Sequence, residues 1–261
     1  MSVDVGIIIP SYNGRKFIEK TINSCLDQTY ESISIIIIDD CSTDDTKDLL
    51  SIYKGRVTLL FNEDNLGIVK SINRAMEKVN SKYFLLLGHD DVLPKNHIEL
   101  MLSEFEPGVV GVHCNSIIIN NFDEETGFAR NDKEQNGKTN NCLFELSLDN
   151  FISSCGMLHR TSIFKKIKGW DESYLHYGEW LYYIRALDHG IIKYSTKTKA
   201  YYRRHDTNIT NTFKDKDVVK KLNDYKNTCR RRAFRNNNNS VLESLKYLIN
   251  NVKLTIRRII L

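Results

Sequence analysis

The chain of 261 residues is 41% hydrophobic and 27% charged with a formal net charge of +4, a composition that fits one large globular domain, with or without an appendage. We expect no transmembrane span, because no apolar run approaches the roughly 20 residues that a bilayer requires, and no signal peptide, because no basic segment precedes a long apolar one. The six cysteines have no metal-ligand spacing and are expected to be reduced thiols in a cytosolic protein.

The first half of the chain alternates short apolar runs with segments of helical periodicity. Four isoleucines in succession at 35–38 indicate a strand that is buried on both faces. This alternation predicts an α/β fold, with a mainly parallel, Rossmann-like sheet flanked by crossover helices. The predicted strands cover 5–9, 34–38, 57–61 and 83–87, and the predicted helices cover 16–26, 43–53 and 68–79.

Polar residues follow the predicted strands where each strand ends, at 10–13, 39–40, 62–65 and 90–91. Because ligands of parallel sheets bind beyond the carboxyl ends of the strands, these clusters are expected to share one crevice. The chain lacks the GxGxxG, GxxxxGK and GxSxG motifs, which argues against dinucleotide, P-loop and hydrolase sites. The crevice is instead predicted to hold a diphosphate through a metal ion bound by acidic side chains.

Two consecutive carboxylates, Asp90 and Asp91, follow the apolar run 83–87, and Pro94 then ends the extended segment. Carboxylates at the end of a well-packed strand suit hard cations such as Mg²⁺ or Mn²⁺, which also take phosphate oxygens as ligands. The alternative is a turn in which an aspartate caps the next helix. The residues alone leave both interpretations open.

Seven short motifs occur in a fixed order along residues 3–210. Together they resemble family 2 of the inverting glycosyltransferases, which have the GT-A fold, and in particular the members that build bacterial surface polysaccharides. The motifs are IIPSYNG at 8–14, LDQTY at 26–30, IIDDCSTD at 37–44, NLG at 65–67 followed by Asn73, the Asp90–Asp91 pair, GWDE at 169–172 and YRRH at 202–205.

The resemblance implies a nucleotide-sugar site at the carboxyl edge of the sheet. Asp40 matches the residue that meets the imide nitrogen of uracil or thymine, although Asp39 or Asp40 has the alternative role of capping the next predicted helix. Lys70 matches a stretch near the phosphates, with a solvated helix position as its alternative. One of Arg203 and Arg204 is expected to meet the departing phosphate. The residues assigned to the nucleotide sugar are Pro10, Tyr12, Asn13, Asp39, Asp40, Asn65, Gly67, Lys70, Asp90 and Arg204.

The metal motif departs from the family pattern, which has an aspartate two positions before the metal-binding one. This chain has Gly88 at the earlier position, so Asp90 is expected to be the ligand of a Mn²⁺ or Mg²⁺ cofactor, helped by Asp91. His205 matches a histidine that several members aim at the metal or the diphosphate, and its alternative is a satisfied polar side chain. The departure at Gly88 is expected to affect metal affinity and donor identity more than the fold.

Glu179 is expected to be the catalytic base, because in the family an acidic residue opens a helix that carries an arginine six positions later, here Arg185. A carboxylate at a helix start can take the proton of a sugar hydroxyl while the hydroxyl oxygen attacks. The alternative is a glutamate that only caps the helix. Asp171 and Glu172 are expected to bind hydroxyls of the acceptor, although their segment is also typical of a turn.

The resemblance predicts a metal-dependent transferase that moves a sugar from a nucleotide-diphosphate sugar, with UDP favoured, to a hydroxyl of a lipid-linked saccharide in O-antigen, capsule or related polysaccharide synthesis. The choice of acceptor is expected to depend on residues 120–141, where no motif is recognisable. Two alternatives stay open. One is a catalytically inert nucleotide-sugar-binding relative, suggested by Gly88. The other is a nucleotidyltransferase, disfavoured because the glycine-rich and basic loop expected after its first strand is absent.

The end of the chain differs in charge from the rest. From Lys220 onward eleven Lys and Arg accompany two acidic residues, a net charge of +9, whereas the preceding residues carry 26 basic and 31 acidic side chains. We therefore expect a catalytic domain at 1–215 and a basic helical extension at 216–261, with a polar break at 236–239.

The last predicted helix is amphipathic and basic. Its apolar stripe is bordered by Lys246, Lys253, Arg257 and Arg258, a pattern typical of a helix in a membrane interface. The alternative is a helix that packs on the catalytic domain or on a second copy in a homodimer. We expect peripheral binding to the anionic inner face of the cell membrane, and no nucleic-acid partner, because no stacking aromatics accompany the basic run. The stripe consists of Val241, Leu245, Leu248, Ile249, Val252, Ile256, Ile259 and Ile260.

Overall fold

The computed structural model describes residues 4–132, 142–174, 177–208 and 216–260, with 257–260 described by their backbone alone. The described strands are β1 (Val5–Ser11), β2 (Ile33–Asp39), β3 (Thr58–Phe61), β4 (Tyr83–Leu86), β5 (Val109–Ile119), β6 (Glu125–Phe128), β7 (Leu158–Arg160) and β8 (Ile191–Arg203). The described α-helices are α1 (Ile18–Leu26), α2 (Thr46–Ser51), α3 (Ile68–Met76), α4 (His97–Leu102), α5 (Leu143–Leu148), α6 (Thr161–Lys166), α7 (Glu179–Ala186), α8 (Lys216–Asn236) and α9 (Val241–Ile260).

The described strands form one mixed sheet in the order β3-β2-β1-β4-β7-β5-β6, with β8 also paired to β5. The four strands predicted from the sequence pair in parallel, as do β5 and β8. Strand β7 pairs antiparallel with both β4 and β5, and β6 pairs antiparallel with β5. The predicted α/β class is therefore confirmed, and the parallel half of the sheet carries the polar clusters at its carboxyl ends.

Both faces of the sheet are covered by helices. Successive side chains of a strand point to opposite faces and therefore enter different cores. Ile8 contributes to the core that includes residues of α3, α6 and α7, whereas Ile7 and Ile9 contribute to the core that includes residues of α1 and α4. Each buried CH₂ group contributes roughly 0.8 kcal/mol. The strand ends that carry the polar clusters therefore start from well-packed positions.

Helix α2 begins three residues later than the sequence predicts. The backbone N–H of Ser42 donates to Asp39 Oδ2 at 3.0 Å, and that of Thr46 donates to Asp44 Oδ1 at 3.1 Å. These bonds form a turn between β2 and the helix, which begins at Thr46. Neither Asp39 nor Asp40 caps α2, so that alternative from the sequence is wrong.

Cys41 lies in this turn with φ of +62°, a left-handed conformation that L side chains rarely adopt. Replacing Cys41 by glycine is expected to raise the free energy of unfolding by about 0.5–1 kcal/mol, because glycine adopts this φ without a steric penalty. Urea unfolding monitored by circular dichroism measures the change. Cys41→Ala is the control, since it removes the thiol and keeps the strained Cβ; a glycine variant no more stable than the alanine variant would contradict the prediction.

Helix α8 shares the core of the sheet-containing body. Its Tyr225, Cys229 and Ala233 are buried in the same cluster as Trp180 of α7. The backbone N–H of Leu181 donates to Tyr225 Oη at 3.1 Å. The boundary expected at residue 216 therefore lies in front of a helix that belongs to the core of the catalytic domain.

Helix α9 directs its more polar side toward the body. The ring of Tyr247 stacks on Phe234 of α8 with 4.0 Å between centroids, and Asn250 Nδ2 donates to the carbonyl oxygen of Leu148 at 3.2 Å. Residues of the predicted apolar stripe are exposed instead, from 46% for Ile249 to 89% for Val241. The stripe members Ile259 and Ile260, and the bordering arginines 257 and 258, have side chains outside the described set. Across the described parts of the chain, every helix is too short or too polar to span a membrane.

Candidate active site

Three loops at the carboxyl edge of the parallel strands contact one another. Asn13 has φ of +51°; its N–H donates to Ser42 Oγ at 2.9 Å, and its Oδ1 accepts from the N–H of Thr43 at 2.8 Å. On the other side, a Cβ added at Gly14 would lie 2.9 Å from the ring of His89, so the loops after β1 and β4 are also in close contact. The polar clusters that follow β1, β2 and β4 therefore share one site, as the sequence predicts.

Asp40 is buried and holds the loop that leads into α3. Its Oδ1 accepts from Asn62 Nδ2 at 2.7 Å and from the N–H of Leu66 at 2.8 Å, and its Oδ2 accepts from the N–H of Gly67 at 2.9 Å. Gly67 has φ of +82°, which favours glycine at the start of the helix. A carboxylate accepts about four hydrogen bonds, so an acceptor position is left on Oδ2. The base-contacting role of Asp40 stays a prediction beside this structural role.

The other residues assigned to the nucleotide sugar differ in exposure. Asp39 is fully buried and bonded to Ser42 through both carboxylate oxygens. Both oxygens of Asp39 are thus used within the loop after β2, and its nucleotide-binding role stays a prediction. Tyr12, Asn65, Lys70 and Arg204 are exposed, and Pro10 is half-buried.

A second cluster surrounds Asp90 at the end of β4. Asp90 Oδ2 lies 2.9 Å from His205 Nε2 and accepts from Asn208 Nδ2 at 3.0 Å. The N–H of His205 donates to Asn208 Oδ1 at 2.6 Å, and the imidazole packs against Phe17 with 4.8 Å between ring centroids. The fold thus brings together Asp90 and His205, which are 115 positions apart in the sequence and are both assigned to the metal.

Asp91 occupies a different environment from Asp90. It is buried, and its Oδ1 accepts from the backbone N–H of Arg203 in β8 at 3.0 Å. Burial, followed by the neighbouring charge of Asp90, raises the pKa of Asp91 well above its ordinary value. One oxygen of Asp91 is therefore already bonded to the backbone of β8, and the role of Asp91 as a metal ligand stays a prediction.

The residues present fit a metal ion that is shared with a substrate. Across the described ranges, His, Cys, Asp and Glu side chains form no group of three or more that would hold an ion alone. A Cβ added at Gly88 would lie 2.7 Å from Asp90 Oδ1 and 3.0 Å from Asp91 Oδ2, so both carboxylates face the space that a side chain would fill. Mg²⁺ is commonly held by one or two carboxylates together with phosphate oxygens and water. Asp90 and His205 would supply such a partial set.

Gly88 leaves room for this arrangement of the two carboxylates. Replacing it by alanine is expected to weaken binding of UDP with Mn²⁺ by roughly tenfold, because the carboxylates must move and small displacements of metal-site groups cost 10- to 100-fold in affinity. Isothermal titration calorimetry measures the Kd. The control is Gly55→Ala, where the added Cβ meets no heavy atom within 4 Å. Gly55 has φ of +87°, a conformation that alanine rarely adopts, so this control is expected to lower the Tm. Its affinity for UDP with Mn²⁺ is expected to stay at the wild-type value. Unchanged affinity in Gly88→Ala would refute the assignment.

Glu179 is the first residue of α7, and close packing of the preceding residue fixes its position. A Cβ on Gly178 would lie 2.4 Å from the ring of Trp170, so the helix starts where only glycine fits. Glu179 is half-buried, and its Oε2 accepts from the N–H of Gly178 at 3.2 Å. Burial raises the pKa of Glu179 above its ordinary value. Burial and then the charge of Glu179 raise the pKa of the adjacent Tyr177 to about 12. A carboxylate with a raised pKa is a stronger base than an ordinary glutamate.

Asn73 of α3 connects the nucleotide side to the segment in front of α7. Its Oδ1 accepts from the N–H of Trp170 at 3.0 Å, and its Nδ2 donates to the carbonyl oxygen of Trp170 at 2.9 Å and to Glu172 Oε1 at 3.1 Å. Arg185 donates to the carbonyl oxygen of Gly169 at 3.4 Å, so the arginine six positions after Glu179 holds the same segment. These contacts fix the proposed base relative to α3.

The two carboxylates assigned to the acceptor are used unequally. Asp171 Oδ1 accepts from both the N–H and the hydroxyl of Ser173, which forms the turn that was the alternative interpretation. Glu172 is exposed and reaches Asn73. The acceptor-binding role of both residues stays a prediction.

Sequence reasoning did not identify Asn208, Asn62 or Phe17 as parts of the site. Asn208 lies three residues after His205, and the Asp-Thr-Asn stretch predicts a turn that would return its side chain toward the histidine. Asn62 follows β3, where the sequence predicts a polar cluster without a role for each member. Phe17 belongs to the apolar pattern of the first helix, so the sequence gives no signal for its contact with His205.

The chain is similar to known proteins in sequence and in fold. The family model described as glycosyl transferase family 2 matches residues 6–167. A protein of Rickettsia typhi described as an uncharacterized glycosyltransferase is 32% identical over 219 residues, which are 80% of this chain and 66% of that protein. A putative teichuronic acid biosynthesis glycosyltransferase of Bacillus subtilis, TuaG, is 40% identical over 101 residues, which are 38% of this chain and 40% of that protein. The crystal structure of S. aureus TarS 1–349 in complex with UDP-GlcNAc matches with a TM-score of 0.67 and 16% identity over 95% of this chain and 79% of that one.

The chain belongs to family 2 of the glycosyltransferases, which confirms the family predicted from the sequence. The likeness to TarS, at 16% identity, confirms the expected GT-A type of fold. The chain spans 66% of the length of the Rickettsia typhi relative and 40% of that of TuaG.

Proposed function

We propose that this protein is a metal-dependent inverting glycosyltransferase. It transfers a sugar from a nucleotide-diphosphate sugar, with UDP as the nucleotide, to a hydroxyl of a lipid-linked saccharide during synthesis of a surface polysaccharide such as O-antigen or capsule. The observation that carries the proposal is the half-buried Glu179, which is fixed through Trp170 and Asn73 to α3. The residue in front of this helix, Gly67, donates its N–H to Asp40. The UDP-GlcNAc and UDP complexes of TarS and the name of TuaG support this choice of donor and pathway class.

The chemistry follows from the positions of these side chains. Glu179 takes the proton of the acceptor hydroxyl as its oxygen bonds to the anomeric carbon, and the bond from that carbon to the diphosphate breaks on the opposite side. An α-linked donor then gives a β-glycoside and a nucleoside diphosphate. A Mn²⁺ or Mg²⁺ ion held by Asp90 and His205 would neutralise charge on the leaving diphosphate. Lys70 and Arg204, both exposed, would add positive charge near the phosphates.

A thermal-shift screen against UDP, dTDP and GDP sugars, with and without Mn²⁺, tests the donor. A donor at about 100 times its Kd stabilises the folded state by about 2.7 kcal/mol, which raises Tm by several degrees. The largest shift is expected for a UDP sugar with Mn²⁺. Donor turnover that stays at background with metal and with a panel of acceptors would contradict the proposal. Release of pyrophosphate instead of a nucleoside diphosphate would identify a nucleotidyltransferase.

An inert nucleotide-sugar-binding relative is the second candidate, and Gly88 is the observation that favours it. It differs from the transferase in one measurable respect. The inert protein would bind the UDP sugar without releasing UDP, whereas the transferase releases UDP at a rate that falls sharply in Glu179→Gln. A coupled assay for UDP separates the two candidates.

The exposed stripe of α9 is proposed to lie in the interface of an anionic membrane on the cytoplasmic side. The polar side of the helix packs on the body, and exposed apolar residues point away from it, with Lys246 and Lys253 also exposed. Apolar area and positive charge on one helix give binding to anionic lipid. The position fits an enzyme that works on a lipid-linked acceptor.

Cosedimentation with vesicles of phosphatidylcholine and phosphatidylglycerol tests this surface. The double variant Leu245→Glu, Leu248→Glu is expected to reduce the bound fraction several-fold. The control is Thr255→Glu, which adds a negative charge at an exposed polar position of the same helix and is expected to bind the vesicles. Sedimentation velocity without vesicles tests the homodimer. A dimer that dissociates in the Leu245→Glu, Leu248→Glu variant would assign the stripe to a second copy instead.

A further inference from the structure

Arg203 is a fully buried arginine beside the Asp90 cluster, and its guanidinium binds groups in three directions. Its Nε donates to the carbonyl oxygen of Asp90 at 2.8 Å, its Nη1 donates to the carbonyl oxygen of Asn120 at 2.7 Å, and its Nη2 lies 2.6 Å from Asp123 Oδ1. The planar guanidinium matches these acceptors as the ammonium of lysine cannot. One side chain therefore joins the end of β4 to the turn between β5 and β6.

The same residue also contacts the other members of the cluster. Its guanidinium lies 4.7 Å from the centroid of Phe17, whose ring packs against His205. Its backbone N–H donates to Asp91 Oδ1, and its carbonyl oxygen accepts from Asn208 Nδ2 at 3.2 Å. Asp91 and Asn208 are thus bonded to the backbone of Arg203, and His205 contacts its side chain through the ring of Phe17.

The turn at 120–124 has its own internal order. Asn120 Oδ1 accepts from the N–H of Phe122 at 2.8 Å and from that of Glu124 at 3.1 Å. Asp123 has φ of +67° and also pairs with Lys20 of α1. Phe122 is 80% exposed at the tip, so packing of this side chain does not hold the turn. The contacts to Arg203 and Lys20 hold the turn against the body.

We propose that Arg203 is a positioning residue that holds the 120–124 turn and the Asp90–His205–Asn208 cluster in one arrangement, so that a nucleoside diphosphate bound at the cluster orders the turn. This inference rests on the proposed function. Coupling between two sites is reciprocal, so a change that frees the turn also weakens binding at the cluster. The turn lies in the segment on which acceptor choice is expected to depend. Donor binding would then prepare the acceptor side before the acceptor arrives.

The test uses UDP with MnCl₂ as the probe and the full chain. Arg203→Met is expected to weaken UDP binding by about 10- to 100-fold in calorimetry, the range for residues that orient metal ligands. Asp123→Asn, which removes the ion pairs of the partly exposed Asp123 with Arg203 and Lys20, is expected to cost about twofold to fivefold. In hydrogen exchange, UDP with Mn²⁺ is expected to protect the amides of Phe122 and Glu124 in the wild type and to leave them unprotected in Arg203→Met.

Arg160→Met is the matched control. Arg160 also donates to backbone carbonyls, those of Glu106 and Val109, and stacks over Tyr83 and Phe105, but it lies at the opposite end of β4 from Asp90. Its loss is expected to lower Tm as Arg203→Met does, and to leave UDP affinity within twofold of the wild type.

Arg203→Met that binds UDP with wild-type affinity, or that shows the wild-type protection of the turn, would overturn the inference. If Arg203→Met does not fold, Arg203→Lys and Asp123→Asn replace it, and wild-type affinity together with wild-type protection in both would have the same meaning. Failure of the wild type itself to bind UDP, dTDP or GDP would instead contradict the proposed function.

Discussion

Replacing Glu179 by glutamine is expected to lower the turnover number for sugar transfer by about 10²- to 10⁴-fold, the range for loss of a positioned general base. Glutamine has nearly the same shape and can still accept the hydrogen bond from Gly178, but it cannot take the proton of the acceptor hydroxyl. Affinity for UDP with Mn²⁺ is expected to stay at the wild-type value. Steady-state kinetics with a released-UDP assay and calorimetry measure the two quantities.

Glu77→Gln is the control for this substitution, because Glu77 is exposed directly after α3. It is expected to retain wild-type turnover. Turnover in Glu179→Gln within a few-fold of this control would mean that another group accepts the proton, and the assignment of the base would be wrong.

The pH dependence of the reaction follows from the raised pKa of Glu179. A general base works only when deprotonated, so the proposed role of Glu179 predicts that turnover falls as the pH drops through this raised pKa, at a higher pH than an ordinary glutamate would give. The groups that face it, Tyr177, Tyr183, Tyr225 and Cys229, all have a pKa raised by burial and stay neutral there. A pH–rate profile of kcat locates the acid limb, and a limb at the ordinary pKa of glutamate would contradict the burial of the base.

The same shift affects stability with a defined sign. Glu179 binds its proton more tightly in the folded state than in the unfolded state, so the folded state is favoured below the ordinary pKa. That contribution is lost as the pH rises through the raised pKa. Between the ordinary and the raised pKa, the free energy of unfolding measured with urea is therefore expected to decline less with pH in Glu179→Gln than in the wild type.

Replacing Asp90 by asparagine is expected to weaken binding of UDP with Mn²⁺ by at least about 10- to 100-fold, and to lower turnover by about 10²-fold or more. Asparagine keeps the shape of the side chain but removes the negative charge that a cation requires. It also offers one carbonyl oxygen where Asp90 Oδ2 now meets both His205 and Asn208. Electron paramagnetic resonance of free Mn²⁺ measures metal binding independently of turnover.

Asp48→Asn is the matched control, since Asp48 is exposed in the first turn of α2. It is expected to bind Mn²⁺ and UDP as the wild type does. If Asp90→Asn binds them equally well, Asp91 or another group holds the ion, and the cluster around Asp90 has a structural role only.

The sequence was sufficient to predict the parallel half of the sheet because its signals are local. Runs such as the isoleucines at 35–38 favour strands buried on both faces, because they are short and β-branched, and helices of clear periodicity separate them. The antiparallel half was not predicted. Strand β7 has three residues, and its pairing with β4 and β5 is decided by long-range contacts that leave no periodic pattern.

The candidate site divides in the same way. The order of motifs placed Asp90 and His205 in one cluster although 115 positions separate them, and the structure brings them within hydrogen-bonding distance. The bonds of Asp40 to the amides of Leu66 and Gly67 could not be foreseen, because backbone donors have no signature in the sequence. The three contacts of Arg203 depend likewise on where β8 and the 120–124 turn meet.

The shared core of α8 determines where the chain can be shortened. Removing all residues after 215 would expose the apolar cluster around Trp180. It would also remove the hydroxyl of Tyr225, which accepts from the backbone N–H of Leu181. A cut in the asparagine-rich connector at 236–239 would detach α9 and leave α8 in place over this cluster. We therefore expect limited proteolysis in this connector to release a fragment that is folded, keeps the proposed UDP site and lacks the helix proposed to bind lipid.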